Sequence, residues 1–388
     1  MTKKTLRTWP TFPSDYYFDQ TRHEQELAQI WYRNWLYLCR ATTLQQPKTY
    51  RTFSIGNQNI IVLRDEVGEV QAFHNACRHR GSILCTATQG EFNTRSIVCP
   101  YHNWSYSLQG MLKGVPFIGS PDKLGRDDLS LYPVPVREWG GCIFINLDKT
   151  ADSTSFTASF DPHIDALANW PLADLTVGYT FTVDLACNWK IFWENFQECY
   201  HCPGIHPELC DMVPLYKKAV SGRAAARELA ALNSDTEDIP QVGLREGAAT
   251  WSMDGKIHGR PFHNLTEEEK RIGYKYLVGL PNWFIAAHPD YIRLVSLFPT
   301  SAETMQLKAE WLFPQDTLDH PNFDLTNVVN FGKLVLEQDG AVCELNQRGL
   351  RSQQHKQGLL LPRAISYSEE KRSEGEKRSK LAKTGEKP

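Results

Sequence analysis

Between positions 188 and 209 the chain reads NWKIFWENFQECYHCPGIHPEL, which puts Glu198, His201 and His206 within nine positions. The spacing predicts a helix capped by Asn188, with Glu198 and His201 one turn apart on one face, roughly 4.5 Å along the axis. Pro203-Gly204 cannot continue a regular helix, so the chain is expected to turn there and bring His206 back toward His201. Two imidazoles converging beside a carboxylate suit a divalent transition metal of the iron or zinc kind. An amphipathic helix with two unrelated histidines would show the same spacing.

Two further stretches combine thiols with imidazoles: Cys77-Arg78-His79-Arg80-Gly81 and Cys99-Pro100-Tyr101-His102-Asn103-Trp104, with 19 residues between His79 and Cys99. Two Cys and two His can hold a tetrahedral zinc. Zinc ribbons and knuckles, however, usually use Cys-x2-Cys pairs. Cys-x-His with Cys-x2-His is the spacing of the [2Fe–2S] centre in which two histidines replace two cysteines on one iron. Gly81, Pro100 and Trp104 supply the tight loops and apolar cover such a centre needs. A lone iron held by two histidines also needs a carboxylate, and FGKLVLEQDGAVCELNQRGL at 331–350 offers Glu337, Asp339 and Glu344.

These residues need scaffolds of two kinds. From Tyr50 to about Leu147, short β-rich runs separated by turn residues predict a small all-β domain around both Cys/His loops. Before it, Asp19 to Tyr37 has Leu27, Ile30, Trp31 and Trp35 at helical spacing, with His23 expected on the surface. Residues 148–175 read as a connector followed by a helix with Phe160, Ile164, Leu167 and Trp170 as its apolar positions. From about 176 to 365, the strand-like segments TVGYTFTVDLA, YIRLVSLFP and MQLKAEWLFP alternate with helices near 188–201 and 324–352, an α+β pattern with helices on one side of an antiparallel sheet. The interval 217–282 has little periodicity and reads as a mobile cover or entrance.

At 388 residues, 41% hydrophobic and with 11 Trp, the chain can bury about two domains. A net charge of −3 gives no basic surface for nucleic acid or anionic lipid. Neither a signal peptide nor a membrane-length apolar run is expected, and ten scattered cysteines favour thiols and metal ligands over disulfides, so the expected compartment is the cytoplasm. The last twenty residues, 369–388, are nearly all charged or polar and are expected to be disordered.

The paired loops resemble those of the Rieske ferredoxin family. Together with 188–209 they make the chain similar, to about residue 365, to the α subunit of Rieske-type non-haem iron oxygenases. The resemblance implies a Rieske [2Fe–2S] domain at 48–150 and a helix-grip catalytic domain at 151–368, with 1–47 packed on the latter. In it Cys77 and Cys99 bind one cluster iron, and His79 and His102 the other. His201, His206 and Asp339 bind a mononuclear Fe(II); EQDGAVCELNQRGL matches the family's C-terminal motif at Asp339, and Gly340 is expected to let the backbone approach the metal. Glu198 stands where the family has a bridging acid, most often Asp. It would hydrogen-bond His201 and, across an interface, His102 of the partner subunit, with Asn195 as a further neighbour of the iron ligands. Glu337 and Glu344 are then a solvated face or partners of Arg348 and Arg351.

The resemblance further implies a homotrimer that uses O2 on a small organic substrate. Electrons come from a separate flavin and iron–sulfur reductase using NAD(P)H, since the chain has no Gly-rich dinucleotide loop of its own. Ser82 and Tyr101 stand where respiratory Rieske proteins have a disulfide, which suits a reducing compartment. Cys85, Cys199, Cys202 and Cys210 are expected to be packing thiols. CRHRGSILC and NFQECYHCPGIHP look most like the branch that oxidises N-methyl groups of betaine-like quaternary amines. An aromatic cage would hold such a cation, with Trp251, Tyr274, Tyr276, Trp283 and Phe284 as candidates. Aromatic-ring hydroxylation or O-demethylation on the same machinery is the alternative, and a non-catalytic zinc-binding module the remote one.

Overall fold

The computed structural model describes residues 9–118, 120–125, 128–160, 164–219 and 243–360. Three small antiparallel sheets precede the catalytic unit, and the first two pack around the Cys/His loops. The first joins Val70–His74, Gln58–Arg64, Thr49–Ile55 and Gln89–Glu91, and the second joins Ile97–Val98, Ser105–Tyr106 and Leu112–Gly114. The third joins the hairpin Val136–Trp139/Cys142–Ile145 to Leu36–Arg40. Leu36–Arg40 begins inside the stretch expected to be helical, at its last two residues. The helix there is only Gln20–Gln29, started by the Asp19 side chain accepting from Arg22 N, and aromatic, β-forming residues then pull the chain into the sheet. His23 is buried, 6% exposed, rather than on the surface, because it lies on the same inward stripe as Leu27.

A five-stranded antiparallel sheet forms the second unit, in the order Thr176–Leu185, Met305–Phe313, Ile292–Pro299, Trp283–Ala287, Lys275–Gly279. Its three longest strands are those the alternating pattern predicts. Helices Trp189–Gln197 and Leu325–Leu350 cover one face. Close contact between sheet and long helix depends on two glycines. A Cβ at Gly340 would lie 2.8 Å from Leu185 Cδ2, and one at Gly332 would lie 2.5 Å from Arg293 Nη1. Gly340 therefore admits the strand Thr176–Leu185 rather than bringing backbone toward a metal, because its Cα faces the sheet.

In the connector, the described residues form a helix at Ser153–Phe160 and 3-10 turns at Ile164–Leu167 and Leu172–Asp174, with Leu167 and Trp170 buried. Of the interval expected to form a mobile cover, 220–242 lies outside the described residues. The remainder is built into the fold: Trp251 is 1% exposed and Lys275–Gly279 is an edge strand. The tail 369–388 is also outside the described residues. Among the described residues no helix is long and apolar enough to cross a membrane.

Candidate metal centres

The two Cys/His loops share one backbone pattern. Cys77 N donates to Ser82 O and Gly81 N to Cys77 O; likewise Cys99 N donates to Trp104 O and Asn103 N to Cys99 O. In each loop the residue four after the cysteine is left-handed, Gly81 at φ +78° and Asn103 at φ +57°, a conformation that glycine and asparagine adopt most cheaply. The repeated turn sets both sulfurs inward and both imidazoles outward. Cys77 and Cys99 are buried at 3% and 1%, while His79 and His102 lie with ring centroids 4.7 Å apart and His79 stacks on Trp104 at 4.9 Å. Tyr106, not foreseen from the sequence, reaches into the first loop. Its hydroxyl accepts from Arg78 N at 3.1 Å and lies 3.2 Å from Cys77 Sγ, so its proton is free to point at the sulfur.

The second centre begins with Asn188, whose side chain accepts from Lys190 N at 2.9 Å and donates to Ala302 O at 2.7 Å, while its own N–H donates to Gln347 Oε1 at 2.9 Å. The helix start is thus tied to the long C-terminal helix. Burying Ile191, Phe192 and Trp193 then holds the segment in place, each worth roughly 1.5–3 kcal/mol. The helix is shorter than the spacing predicts. It stops at Gln197; Glu198 is extended at φ −133°, ψ 143°, and His201 leads into the short helix Cys202–Ile205, which contains Pro203-Gly204. Glu198 and His201 do not share a helical face. The turn that matters comes at 198–201, before the Pro-Gly pair, since proline is tolerated in a first helical turn.

The convergence nevertheless occurs. His201 and His206 have ring centroids 5.2 Å apart, and Asp339, from Leu325–Leu350, places Oδ1 3.3 Å from His201 Nε2 and 2.9 Å from His206 Nε2. Gln338 Oε1 lies 2.7 Å from His206 Nδ1, and Gln338 Nε2 donates to Glu208 Oε2 at 3.2 Å. Asn195 Nδ2 is 3.4 Å from His201 Nε2. Gln338 and Glu208 escaped the sequence reading; only the adjacency of Gln338 to Asp339 marked the former. Glu337 pairs with Lys333 at 3.5 Å, Glu344 accepts from Ala186 N at 2.9 Å and Arg351 pairs with Glu303, so the expected pairings with Arg348 and Arg351 are replaced.

The electrostatics call for a cation at this spot. Burial alone would raise Asp339, yet the hydrogen bonds from His201 and His206 hold it below the usual carboxylate range. Burial opposes a charged His201, but Asp339 and Cys202 bring it up to about 9. One carboxylate oxygen shared by two ring nitrogens is a donor set that fits divalent iron, with protons standing where the ion would go. Cys202 Sγ lies 3.9 Å from His201 Nε2. Its thiol is pushed far up by Cys199 and by burial, which disfavours a thiolate ligand. Glu198 makes no hydrogen bond to His201 in the described chain, and His201 Nδ1 is buried without a partner. Burial raises the Glu198 carboxyl while the charge of His201 works the other way.

Four of the five candidate cage residues gather into one cluster, which meets the helix carrying Asp339 through Trp251 and Phe331, 5.7 Å apart. Trp251 lies 5.4 Å from Tyr274 and 6.3 Å from Tyr276, which are 5.9 Å from each other, and Phe284 lies 6.4 Å from Tyr276. Trp283 does not join them. Neighbours along Trp283–Ala287 point to opposite faces, so Trp283 packs on Phe144 at 5.5 Å in a separate core.

A paired-thiol, paired-imidazole station and a two-histidine, one-carboxylate station in one α+β chain define an oxygenase fed by an iron–sulfur cluster. Comparison with known proteins agrees. Residues 34–133 match the Rieske [2Fe-2S] domain, and residues 172–375 the ring hydroxylating alpha subunit catalytic domain. The glycine betaine monooxygenase oxygenase subunit of Chromohalobacter salexigens is 30% identical over 372 residues, covering 90% of this chain and 81% of that one. The carnitine monooxygenase oxygenase subunit of Acinetobacter baumannii is 30% identical over 354 residues, covering 90% and 88%. The fold is similar to that of the quaternary ammonium Rieske monooxygenase CntA in complex with L-carnitine, with a TM-score of 0.65, 22% identity and coverage of 93% and 94%. The chain belongs to the Rieske non-haem iron oxygenase family as an α (oxygenase) subunit. Its cofactors are a Rieske [2Fe–2S] cluster and a mononuclear iron, and it acts with O2 and a reductase partner. The zinc-module reading falls with that match.

Proposed function

We propose that this oxygenase demethylates a betaine-like quaternary amine by hydroxylating one N-methyl group. The observation that carries the reading is the cluster of Trp251, Tyr274 and Tyr276, joined through Phe331 to the helix that also carries Asp339, since aromatic faces attract a methylated ammonium that cannot donate a hydrogen bond. The activities for which the two relatives are named point the same way. In balance, the substrate, O2, NAD(P)H and a proton give an N-hydroxymethyl ammonium, water and NAD(P)+. The N-hydroxymethyl group then leaves as formaldehyde, releasing a proton and the dimethylamine.

In this reading Cys77, Cys99, His79 and His102 hold the cluster, and His201, His206 and Asp339 hold the iron. When bound, these groups store electrons and activate O2. The chain's own residues orient and exclude. Gln338 fixes the His206 ring so that Nε2 faces Asp339, and the aromatic wall keeps water from the methylated centre. Glu198 is assigned as the bridge in a homotrimer. Its carboxylate would accept from the otherwise unpartnered Nδ1 of His201 and from His102 of the partner subunit, and the outward position of His79 and His102 supports this. The cluster unit is taken as 48–150 and the iron unit as 151–368, the reductase as a flavin and iron–sulfur protein, and the compartment as the cytoplasm.

The test is formaldehyde release with oxygen uptake on a panel of methylated amines and aromatic acids, using a generic reductase. Formaldehyde from quaternary amines alone is expected; turnover confined to the aromatic acids would reject the reading.

A further inference from the structure

Arg293 lies in the central strand Ile292–Pro299, on the face turned toward the long C-terminal helix, and is 3% exposed. Its Nη1 donates to Gly332 O at 3.1 Å, its Nε has no partner, and among the described residues no carboxylate forms an ion pair with it. The nearest acid in sequence, Asp290, is engaged by Thr250 Oγ1 at 2.6 Å. Its other neighbours are not anions. Tyr291 donates to Trp251 O at 2.7 Å, and His288 is kept neutral by burial and by the charge of Arg293 itself.

A guanidinium does not shed its proton, so there is a permanent buried cation with no counter-ion among the described residues, a strongly unfavourable arrangement unless an anion arrives. The cation is in the wall of the aromatic cluster, with Cζ 5.8 Å from the Trp251 ring centroid. Gly332, which it touches, comes seven residues before Asp339 on one helix, a separation of roughly 10 Å along the axis.

We propose that Arg293 receives the carboxylate of a zwitterionic substrate, at the end away from the methyl group that is oxidised. The inference rests on the quaternary-amine reading above and narrows it to trimethylammonio carboxylates. The methylated ammonium lies against Trp251, Tyr274 and Tyr276, and the carboxylate meets the guanidinium fork through charge-assisted hydrogen bonds. A cation without a carboxylate, such as an amino alcohol, would put a second positive charge beside the guanidinium with nothing to offset it. The same arginine thus attracts the zwitterion and repels its uncharged-tail analogue.

The experiment compares full-length holoenzyme with Arg293→Met and Arg293→Lys. The probes are a trimethylammonio carboxylate, its methyl ester, an alkyl trimethylammonium and a plain carboxylate of the same length. For Arg293→Met, KM for the zwitterion should rise roughly 10- to 100-fold, with the ester and alkyl cation unaffected or improved. The thermal shift produced by the plain carboxylate should disappear in Arg293→Met and persist in part in Arg293→Lys. Melting of each free variant identifies a folding defect, in which case Arg293→Lys decides. Equal losses on carboxylate and carboxylate-free substrates, or a carboxylate shift that survives in Arg293→Met, would overturn the assignment. If the wild type oxidises no quaternary amine but binds plain carboxylates through Arg293, the anion site stands and the demethylation reading fails.

Discussion

His206 Nδ1 lies 2.7 Å from Gln338 Oε1, and this contact decides which nitrogen of the ring faces Asp339. The amide oxygen can only accept, so Nδ1 bears a proton, and without a metal Nε2 bears a second one, shared with Asp339, that a bound ion would displace. Replacing Gln338 with Leu removes that acceptor, and metal affinity at the centre should fall by about 10- to 100-fold. After dialysis, iron analysis should show the mononuclear ion depleted while the visible absorption of the cluster is retained. Full retention of both would mean that packing alone orients His206.

Glu198 offers a test of communication between the centres. Glu198→Gln preserves size and leaves all seven proposed ligands in place, so both metals should load normally. Reduction of the cluster by reductase should be unaffected, while single-turnover oxidation of the cluster in the presence of substrate and O2 should slow by an order of magnitude or more. Kinetics indistinguishable from wild type would remove the bridging role.

The matched backbone turns at 77–82 and 99–104 make a paired prediction. His79→Ala or Cys99→Ala should each bleach the protein and lower its acid-labile sulfide, whereas Cys85→Ser, a buried thiol on neither turn, should keep the brown colour. Colour that survives both ligand changes would contradict the assignment.

Much of this architecture was legible because the chemistry is written in short, local spacings. Cys-x-His and Cys-x2-His lie within single turns, and the strands Thr176–Leu185, Ile292–Pro299 and Met305–Phe313 show their alternation openly. What was hidden depended on partners far away in sequence. The helix at 189–197 ends early because the chain must bend at Glu198 to carry His201 toward Asp339, and nothing local announces that bend. The role of Gly340 was misread because the Leu185 it meets is 155 residues earlier. Trp283 was grouped with the cage because its face is fixed by register in the sheet, not by composition. Arg293 lies in a strand the alternation predicts, but its burial, and the lack of an ion pair to it among the described residues, are set by distant partners.

Glu194 gives the fold a pH dependence of predictable sign. Tyr17 Oη donates to both of its carboxyl oxygens, at 2.8 and 3.0 Å, and burial raises its pKa to about 7 against an ordinary 4.5, with Tyr17 and Lys190 working in the opposite direction. Below pH 4.5 folded and unfolded chains both bind the proton. Between 4.5 and 7 only the unfolded chain releases it, so the folded state loses stability as pH rises through this window, and above 7 the full penalty, on the order of 3 kcal/mol, is present. Glu194→Gln keeps an acceptor for Tyr17 without the titration. Thermal melts of wild type and variant between pH 4 and pH 8 should therefore coincide in slope at the acid end and diverge upward, with the Gln variant the more stable above pH 7. Taking the difference between the two cancels every other titrating group they share. The charge of Glu198 also raises Glu194, so adding Glu198→Gln should shrink that difference. A difference that does not vary with pH would mean Glu194 is ionised throughout, held by Lys190 rather than kept neutral by its surroundings.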